Sequence, residues 1–468
     1  MQTEPAMNRE TPAPLADPET IEGRPRPTYQ MVLDRDTNPP SPCLRDVAPY
    51  HPQTVRVPTA RYTSPDYFQR EVREMWEKVW QMACRDEDIP APGDQTVYDI
   101  ADRSVLLVRT ESGTVRGFVN SCPHRGRKLR ADAGQAQTIR CAFHGWTWNL
   151  DGSVKSIPCR WDFPHLTDDD AHLREVQVDT WGGFVFINFD TDAAPLADYL
   201  GVLPEHFAPW RLEDCYKSVH LAGVMQCNWK VAQEAFMESY HVIATHPQIL
   251  PFFADASAQY DLYGDNVNRN LAAFGVTSPH MGEGAVSEQE IVAQMLGMRE
   301  EAQTVDPKDD GAIQARRTLG DKTRAAFSRA YGIDHSGVSD AEVLDALVYN
   351  VFPNFAPWGG FAPNIVYRWR PNGMDVHTCI MEVMILKRCP AGKPRPAPAE
   401  LRWIEPGAPW SEAPELPVLG PVIDQDISNL GLVQDGLRNS ATGVVELARY
   451  EEQRIRHFHQ TLGKYVAD

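Results

Sequence analysis

Two short pairs constrain this chain more than any other feature: Cys122-Pro123-His124 and, after a further sixteen residues, Cys141-Ala142-Phe143-His144. Each pair offers one thiolate and one imidazole within the reach of a single turn. Four such donors in one short stretch can hold a metal group and bend the chain into two tight loops around it. Two chemistries take two Cys and two His. One is an iron–sulfur centre with the thiolates on one iron and the imidazoles on the other, an exchange that raises its potential. The other is a structural zinc ion. The flanks favour the first, because Arg125-Gly126 follows His124 and Gly145-Trp146 follows His144. Glycines let backbone amides approach the sulfurs, and such hydrogen bonds tune an iron–sulfur group.

A second set lies downstream, in Asn228-Trp229-Lys230-Val-Ala-Gln-Glu234-Ala-Phe236-Met237-Glu238-Ser-Tyr240-His241-Val-Ile-Ala-Thr-His246-Pro247. Glu234, Glu238 and His241 stand at i, i+4 and i+7, so a helix would stack them on one face. Pro247 disfavours helical geometry at His246 and predicts a helix end there. His241 and His246 could then converge on one ion. Two His and one carboxylate with open positions form the facial triad of non-haem Fe(II) oxygenases. Alone, a His-x4-His pair reads as ordinary buried polar residues. Downstream of the Cys/His loops, the metal reading gains weight.

Together these stretches resemble the large (α) subunit of Rieske non-haem iron oxygenases, the aromatic-ring-hydroxylating group. The resemblance runs from about residue 46 to the C-terminus and rests on Cys-x-His-Arg-Gly, on Gly134-Gln135 before Cys-x-Phe-His, and on Asn-Trp-Lys…Glu…Tyr-His-x4-His. It implies that Cys122, His124, Cys141 and His144 hold a [2Fe-2S] cluster, and that His241 and His246 hold a mononuclear Fe(II). It also implies a third iron ligand far downstream, eight residues before a Gln followed by x-Gly-Leu. Here that is Asp426, before Gln434-Asp435-Gly436-Leu437, with Asp424 as the rival. In a helix Asp424 would be rotated well off the Asp426 face. Many ring dioxygenases carry Asp three residues before the first iron His, bridging to a Rieske His of the next subunit. This chain has Glu238 there, as do relatives acting on quaternary ammonium compounds. The bridging role is retained, and cis-dihydroxylation becomes less secure.

The implied fold class is α+β: a small all-β Rieske domain, 85–189, and a larger catalytic domain, 46–84 with 190–468, whose antiparallel sheet is covered by helices. Residues 1–45, rich in Pro, Thr and Asp, read as a flexible arm. Asn372-Gly373 between two apolar runs predicts a hairpin, and residues 441–464 a C-terminal helix. Residues 285–345, with Glu300-Glu301 and Arg316-Arg317, look like a helical insertion at the active-site mouth, or simply a solvated pair. His457, His459 and His377 read as packed or exposed rather than ligating, and Met374, Met381 and Met384 as sheet packing. Phe236, Met237, Val242, Ile243, Phe352 and Phe355 are candidates for an apolar pocket.

Lys+Arg 45 against Asp+Glu 64 leaves a net charge of −19, which argues against nucleic-acid and anionic-membrane partners. No apolar run approaches a membrane span. Nine scattered Cys form no framework and point to the cytoplasm. No Gly-rich dinucleotide loop is evident, so NAD(P)H would act only through a separate flavin reductase, with or without a ferredoxin. Arg125, Arg127, Lys128 and Arg130 are either a docking patch for that donor or a solvated loop. The resemblance implies a homotrimer, or α3β3 with a small β subunit, that uses O2 to hydroxylate, as a dioxygenase, a small apolar aromatic substrate. The alternatives are a monooxygenase or demethylase acting on an aliphatic, sterol-like or quaternary ammonium substrate and, from another class, a non-catalytic electron carrier or zinc module.

Overall fold

The computed structural model describes residues 15–52, 54–297, 305, 311–361 and 364–468. The chain divides into two compact units. One comprises Gln69–Tyr199 with the Asn372–Met374 turn. Short strands rich in β-branched residues build its seven-stranded sheet, in the order Gln81–Arg85, Phe184–Asn188, Glu175–Trp181, Val115–Val119, Arg103–Arg109, Asp94–Ile100, Gly134–Gln135. A second sheet of Ile139–Arg140, Thr147–Trp148 and Val154–Ser156 flanks the second Cys/His loop. Leu106, Phe118, Ile139, Trp146 and Trp148 share one core with Cys122 and Cys141. The unit extends further at both ends than the expected 85–189.

The other unit takes the chain up to Phe68 with Leu200–Pro371 and Asp375–Asp468. Its eight-stranded sheet runs Gln259–Tyr263, Val267–Ala272, Ala346–Val351, Phe355–Pro357, Asn364–Asn372, Asp375–Arg388, Cys215–Met225, Arg402–Trp403. The last pair is parallel. The helices Trp229–Glu234, Leu419–Arg438 and Gln453–Tyr465 lie against this sheet. The architecture is α+β, with the hairpin turning at Asn372-Gly373, where Gly373 takes φ +58°. Among the described residues no helix is long and apolar enough to cross a membrane.

Three expectations need correction. Residues 15–45 are packed rather than loose, while 1–14 lie outside the described residues. Tyr29 is fully buried and its hydroxyl donates to Asp345. Arg316 pairs with both Asp36 (2.9 Å) and Asp345 (2.7 Å). Charges that looked solvated in sequence are mutually neutralised across three distant segments. The same pairs bury part of the 285–345 insertion, whose helices Glu288–Gly297 and Gln314–Tyr331 pack on Phe252; Glu300-Glu301 lie outside the described residues. Finally, 441–464 is not one helix. Val444–Leu447 is a strand paired with Val55–Pro58, and helix begins only at Gln453. The Val444-Val445 pair packs better on a strand partner than on a helix.

Candidate functional site

The two Cys/His loops share one backbone plan. Cys122 N donates to Arg127 O, and Gly126 N to Cys122 O; Cys141 N donates to Trp146 O, and Gly145 N to Cys141 O. Each loop closes through a glycine with positive φ, +72° at Gly126 and +75° at Gly145. That is why glycine follows each donor pair at the same offset from its Cys. Both sulfurs are buried, and Cys122 Sγ faces the amides of His124 and Arg125. The two imidazoles lie together at the tip, 4.6 Å between centroids, with His124 stacked on Trp146. His124 Nδ1 is buried and has no hydrogen-bond partner among the described residues. A buried ring nitrogen without a partner, beside a second imidazole and two thiols, fits a cluster ligand. Lys128 of the basic stretch is paired with Asp99.

In the catalytic unit Asn228 caps the Trp229–Glu234 helix by accepting from Lys230 N. The helix does not continue through Glu238 to His241, contrary to the i, i+4, i+7 expectation. Glu238 leaves the helix and its Oε2 accepts from His241 N at 2.9 Å, starting a new turn, Val242–Thr245. Pro247 ends that turn at His246. Glu234 faces elsewhere: its carboxyl accepts from Tyr62 and bonds His459, and burial raises its pKa to about 8.

His241, His246 and Asp426 converge, with one ligand atom from each lying within 4.8 Å of the others. Asp426 Oδ1 is 2.8 Å from His246 Nε2 and 3.5 Å from His241 Nε2. Asp424 is turned away and accepts from Trp410 N and Ser411 N. The offset between Asp426 and Gln434 now has a physical cause. Gln434 Oε1 accepts from Asn228 N at 2.8 Å, and its Nε2 donates to Tyr62 O at 3.2 Å. Two turns of helix separate that anchor from Asp426, so it fixes where the carboxylate falls relative to the histidines.

Both imidazoles are oriented from behind. His241 Nδ1 bonds Glu238 Oε1 at 2.6 Å, and His246 Nδ1 bonds Gln425 Oε1 at 2.8 Å, so both Nε2 atoms face Asp426. Burial disfavours charge on His241, yet Asp426 and Glu238 override it and raise its pKa to about 10. Burial likewise opposes ionisation of Asp426, and the two histidines reverse it and lower its pKa. Such a pocket attracts positive charge, which fits a bound cation. Gln425 was not singled out from sequence; its only signal is adjacency to Asp426. Phe236 packs on Tyr367 and Trp369, at 5.0 and 5.1 Å. Burial, and then the Asp426 carboxylate, raise the pKa of the Tyr367 phenol. Phe352 instead packs on Phe458 and Tyr465 in the core. His459, His457, Met381 and Met384 are buried, while Met374 is exposed. His377 lies beside Gln434.

Residues 205–468 match the model of the ring-hydroxylating α-subunit catalytic domain, and residues 79–167 that of the Rieske [2Fe-2S] domain. The oxygenase subunit of glycine betaine monooxygenase from Chromohalobacter salexigens is 32% identical over 196 residues, 42% of this chain and 44% of that one. The large oxygenase component of naphthalene 1,2-dioxygenase from Pseudomonas putida is 34% identical over 198 residues, 40% and 43% respectively. The chain thus spans under half the length of these two relatives. A chlorobenzene dioxygenase α subunit from Cupriavidus is 28% identical over 67% of each chain. Among solved structures, a quaternary ammonium Rieske monooxygenase superposes with TM-score 0.61 at 17% identity, covering 89% of this chain and 96% of that one. A naphthalene 1,2-dioxygenase variant with phenanthrene bound gives 0.61 at 18%, covering 88% and 92%. At such identities the likeness shows the fold. The cofactors that go with these two domains are a Rieske [2Fe-2S] cluster and a mononuclear iron. By its catalytic-domain match over more than half its length, and by the Rieske domain preceding it, the chain belongs to the Rieske-type ring-hydroxylating oxygenase α-subunit family.

Proposed function

We propose that the chain is the terminal oxygenase component of a multicomponent system. Cys122, Cys141, His124 and His144 would hold the [2Fe-2S] cluster, and His241, His246 and Asp426 the mononuclear iron. When bound, these groups supply single-electron transfer and the activation of O2. The protein's own part is positional. Glu238 and Gln425 fix the tautomers of the two iron histidines, so that each presents Nε2 as a neutral donor. One three-residue donor set leaves open positions for O2 beside the substrate. Phe236, Tyr367 and Trp369 form one aromatic cluster in the catalytic unit, which we take as the apolar side of a site for a small aromatic molecule. Glu238, one carboxylate long enough to accept from His241 and from a second imidazole, would bridge to the Rieske histidine of a neighbouring copy. This requires more than one copy, and a homotrimer, or α3β3, is the assembly proposed. A reductase, directly or through a ferredoxin, would deliver electrons from NAD(P)H.

The observation that carries this reading is the convergence of His241, His246 and Asp426 in a chain that also carries the two Cys/His loops. Anaerobically purified protein should contain one [2Fe-2S] cluster and one further iron per chain, with a Rieske-type EPR signal on reduction. Stoichiometric zinc without acid-labile sulfide would sink the proposal.

A second reading is monooxygenation or demethylation of a quaternary ammonium compound. It is favoured by Glu238 and by the same ring faces, which also attract cations. Turnover under 18O2 with a surrogate reductase separates the two. Two labelled atoms in an aromatic product support dioxygenation. One labelled atom, with a trimethylammonium substrate consumed, supports the second reading.

A further inference from the structure

Glu238 sits in a break between two helical segments, and the chain on either side of it is held by side chains from remote parts of the catalytic unit. Arg454 Nη1, from the C-terminal helix, donates to Met237 O at 3.1 Å. Ser239 N donates to the Tyr260 hydroxyl at 3.0 Å, and Asn270 Nδ2 to Ser239 Oγ at 2.9 Å. Met237, Arg454 and Tyr260 are all nearly or fully buried.

Arg454 is the unusual member. Its Nε donates to Asn268 Oδ1, yet its Nη2 has no partner, and no carboxylate among the described residues pairs with it. Burial lowers its pKa to about 9, and the neighbours that pull it back up are Tyr260 and then Glu238. A buried guanidinium without an ion pair is costly to keep. Its contact with the Met237 carbonyl shows what it does. In a continuous helix the Met237 carbonyl would accept from His241 N. Here Arg454 takes the carbonyl, and Glu238 Oε2 takes the amide. Those two side chains replace one helical hydrogen bond. The released backbone turns Glu238 Oε1 onto His241 Nδ1.

We propose that Arg454 is the positioning residue of the bridging carboxylate: it holds the chain out of helix at Met237, so that Glu238 stays against His241. This rests on the reading of Glu238 as the electron bridge. The holoprotein, pre-reduced and mixed with substrate and O2, reports the rate at which the Rieske cluster is oxidised. Arg454→Met should slow that step by about tenfold or more while both metals remain bound. Arg454→Lys, which can still donate to Met237 O, should recover most of the rate. In a Glu238→Gln background, Arg454→Met should add less than about twofold, because both changes act on one link. In metal-free protein, amide exchange of the peptide spanning Met237–His241 should quicken in Arg454→Met. Should Arg454→Met fail to fold, Arg454→Leu, which likewise carries no donor, replaces it. A wild-type rate in Arg454→Met, or the same slowing with and without Glu238, overturns the inference alone. A wild-type rate in Glu238→Gln overturns the bridge reading and the inference with it.

Discussion

The Cys122–His144 loops take every donor from one stretch of chain, whereas His241, His246 and Asp426 come from two segments that the fold must bring together. The first site is a matter of local backbone. Two glycines with positive φ close two equivalent turns, and the sulfurs sink into the core of the same unit. The second is a matter of register. Its carboxylate rides on a helix whose placement depends on Gln434 reaching Asn228 and Tyr62. A local site tolerates remote changes and is sensitive to turn chemistry. A site assembled over long range is sensitive to anchors that never touch the metal.

The largest expected effects test whether the two sites are independent. Asp426→Ala should lose the mononuclear iron and all turnover while the reduced Rieske EPR signal is unchanged. Cys141→Ser should lose the cluster and keep the mononuclear iron. If Asp426→Ala stays active while Asp424→Ala loses iron, the wrong carboxylate has been assigned. If Cys141→Ser also empties the iron site, the contrast between the sites collapses.

Gln434→Leu sharpens the register argument. It leaves Asn228 N and Tyr62 O without their partner, and a buried orphaned group costs about 1–3 kcal/mol. Thermal unfolding should show the catalytic unit destabilised, and iron occupancy should fall, with the Rieske spectrum untouched. Unchanged iron content at full thermal stability would mean that Asp426 is placed by something else. Gln425→Leu should be milder. It removes the acceptor at His246 Nδ1 and should weaken metal affinity by about 10–100-fold in chelator competition, with Gln425→Glu restoring it. Equal loss in the Leu and Glu variants would show that Gln425 acts through packing and not as an acceptor.

The same contrast explains what could be read from the sequence. The Rieske loops were legible because donors and glycines are contiguous. The end of the turn at His246 was legible through Pro247, whereas the pairing of His246 with His241 came from the resemblance. Asp426 was reached by its offset from Gln434, although the reason, a hydrogen bond to the cap of another helix, is visible only in the fold. The helix break at Glu238 was not legible. Periodicity favoured a continuous helix, and the competing hydrogen bonds come from Glu238 itself and from a residue on the C-terminal helix. The N-terminal segment misled for a related reason. Asp36 looks solvated until Arg316 and Asp345 are brought beside it.

The smallest expected effect probes the local site on its own terms. Gly126→Ala and Gly145→Ala each place a Cβ on left-handed backbone, at roughly 1–2 kcal/mol. At Gly126 that Cβ would meet little, its nearest neighbour being Ser121 Oγ at 3.9 Å. At Gly145 it would touch Arg140 Nη2 at 3.4 Å and Pro158 Cγ at 3.5 Å. Both variants should keep the cluster, because no donor is removed. Both should shift its EPR g values and potential, because the glycine turns set the amides around the sulfurs. Gly145→Ala should shift them more, since its loop must also accommodate Arg140 and Pro158. Voltammetry and EPR on the cluster-loaded protein give the comparison. Loss of the cluster in either variant would show that turn strain sets assembly rather than tuning. A larger shift at Gly126 would show that the open side of the loop, and not its packed side, governs the sulfur environment.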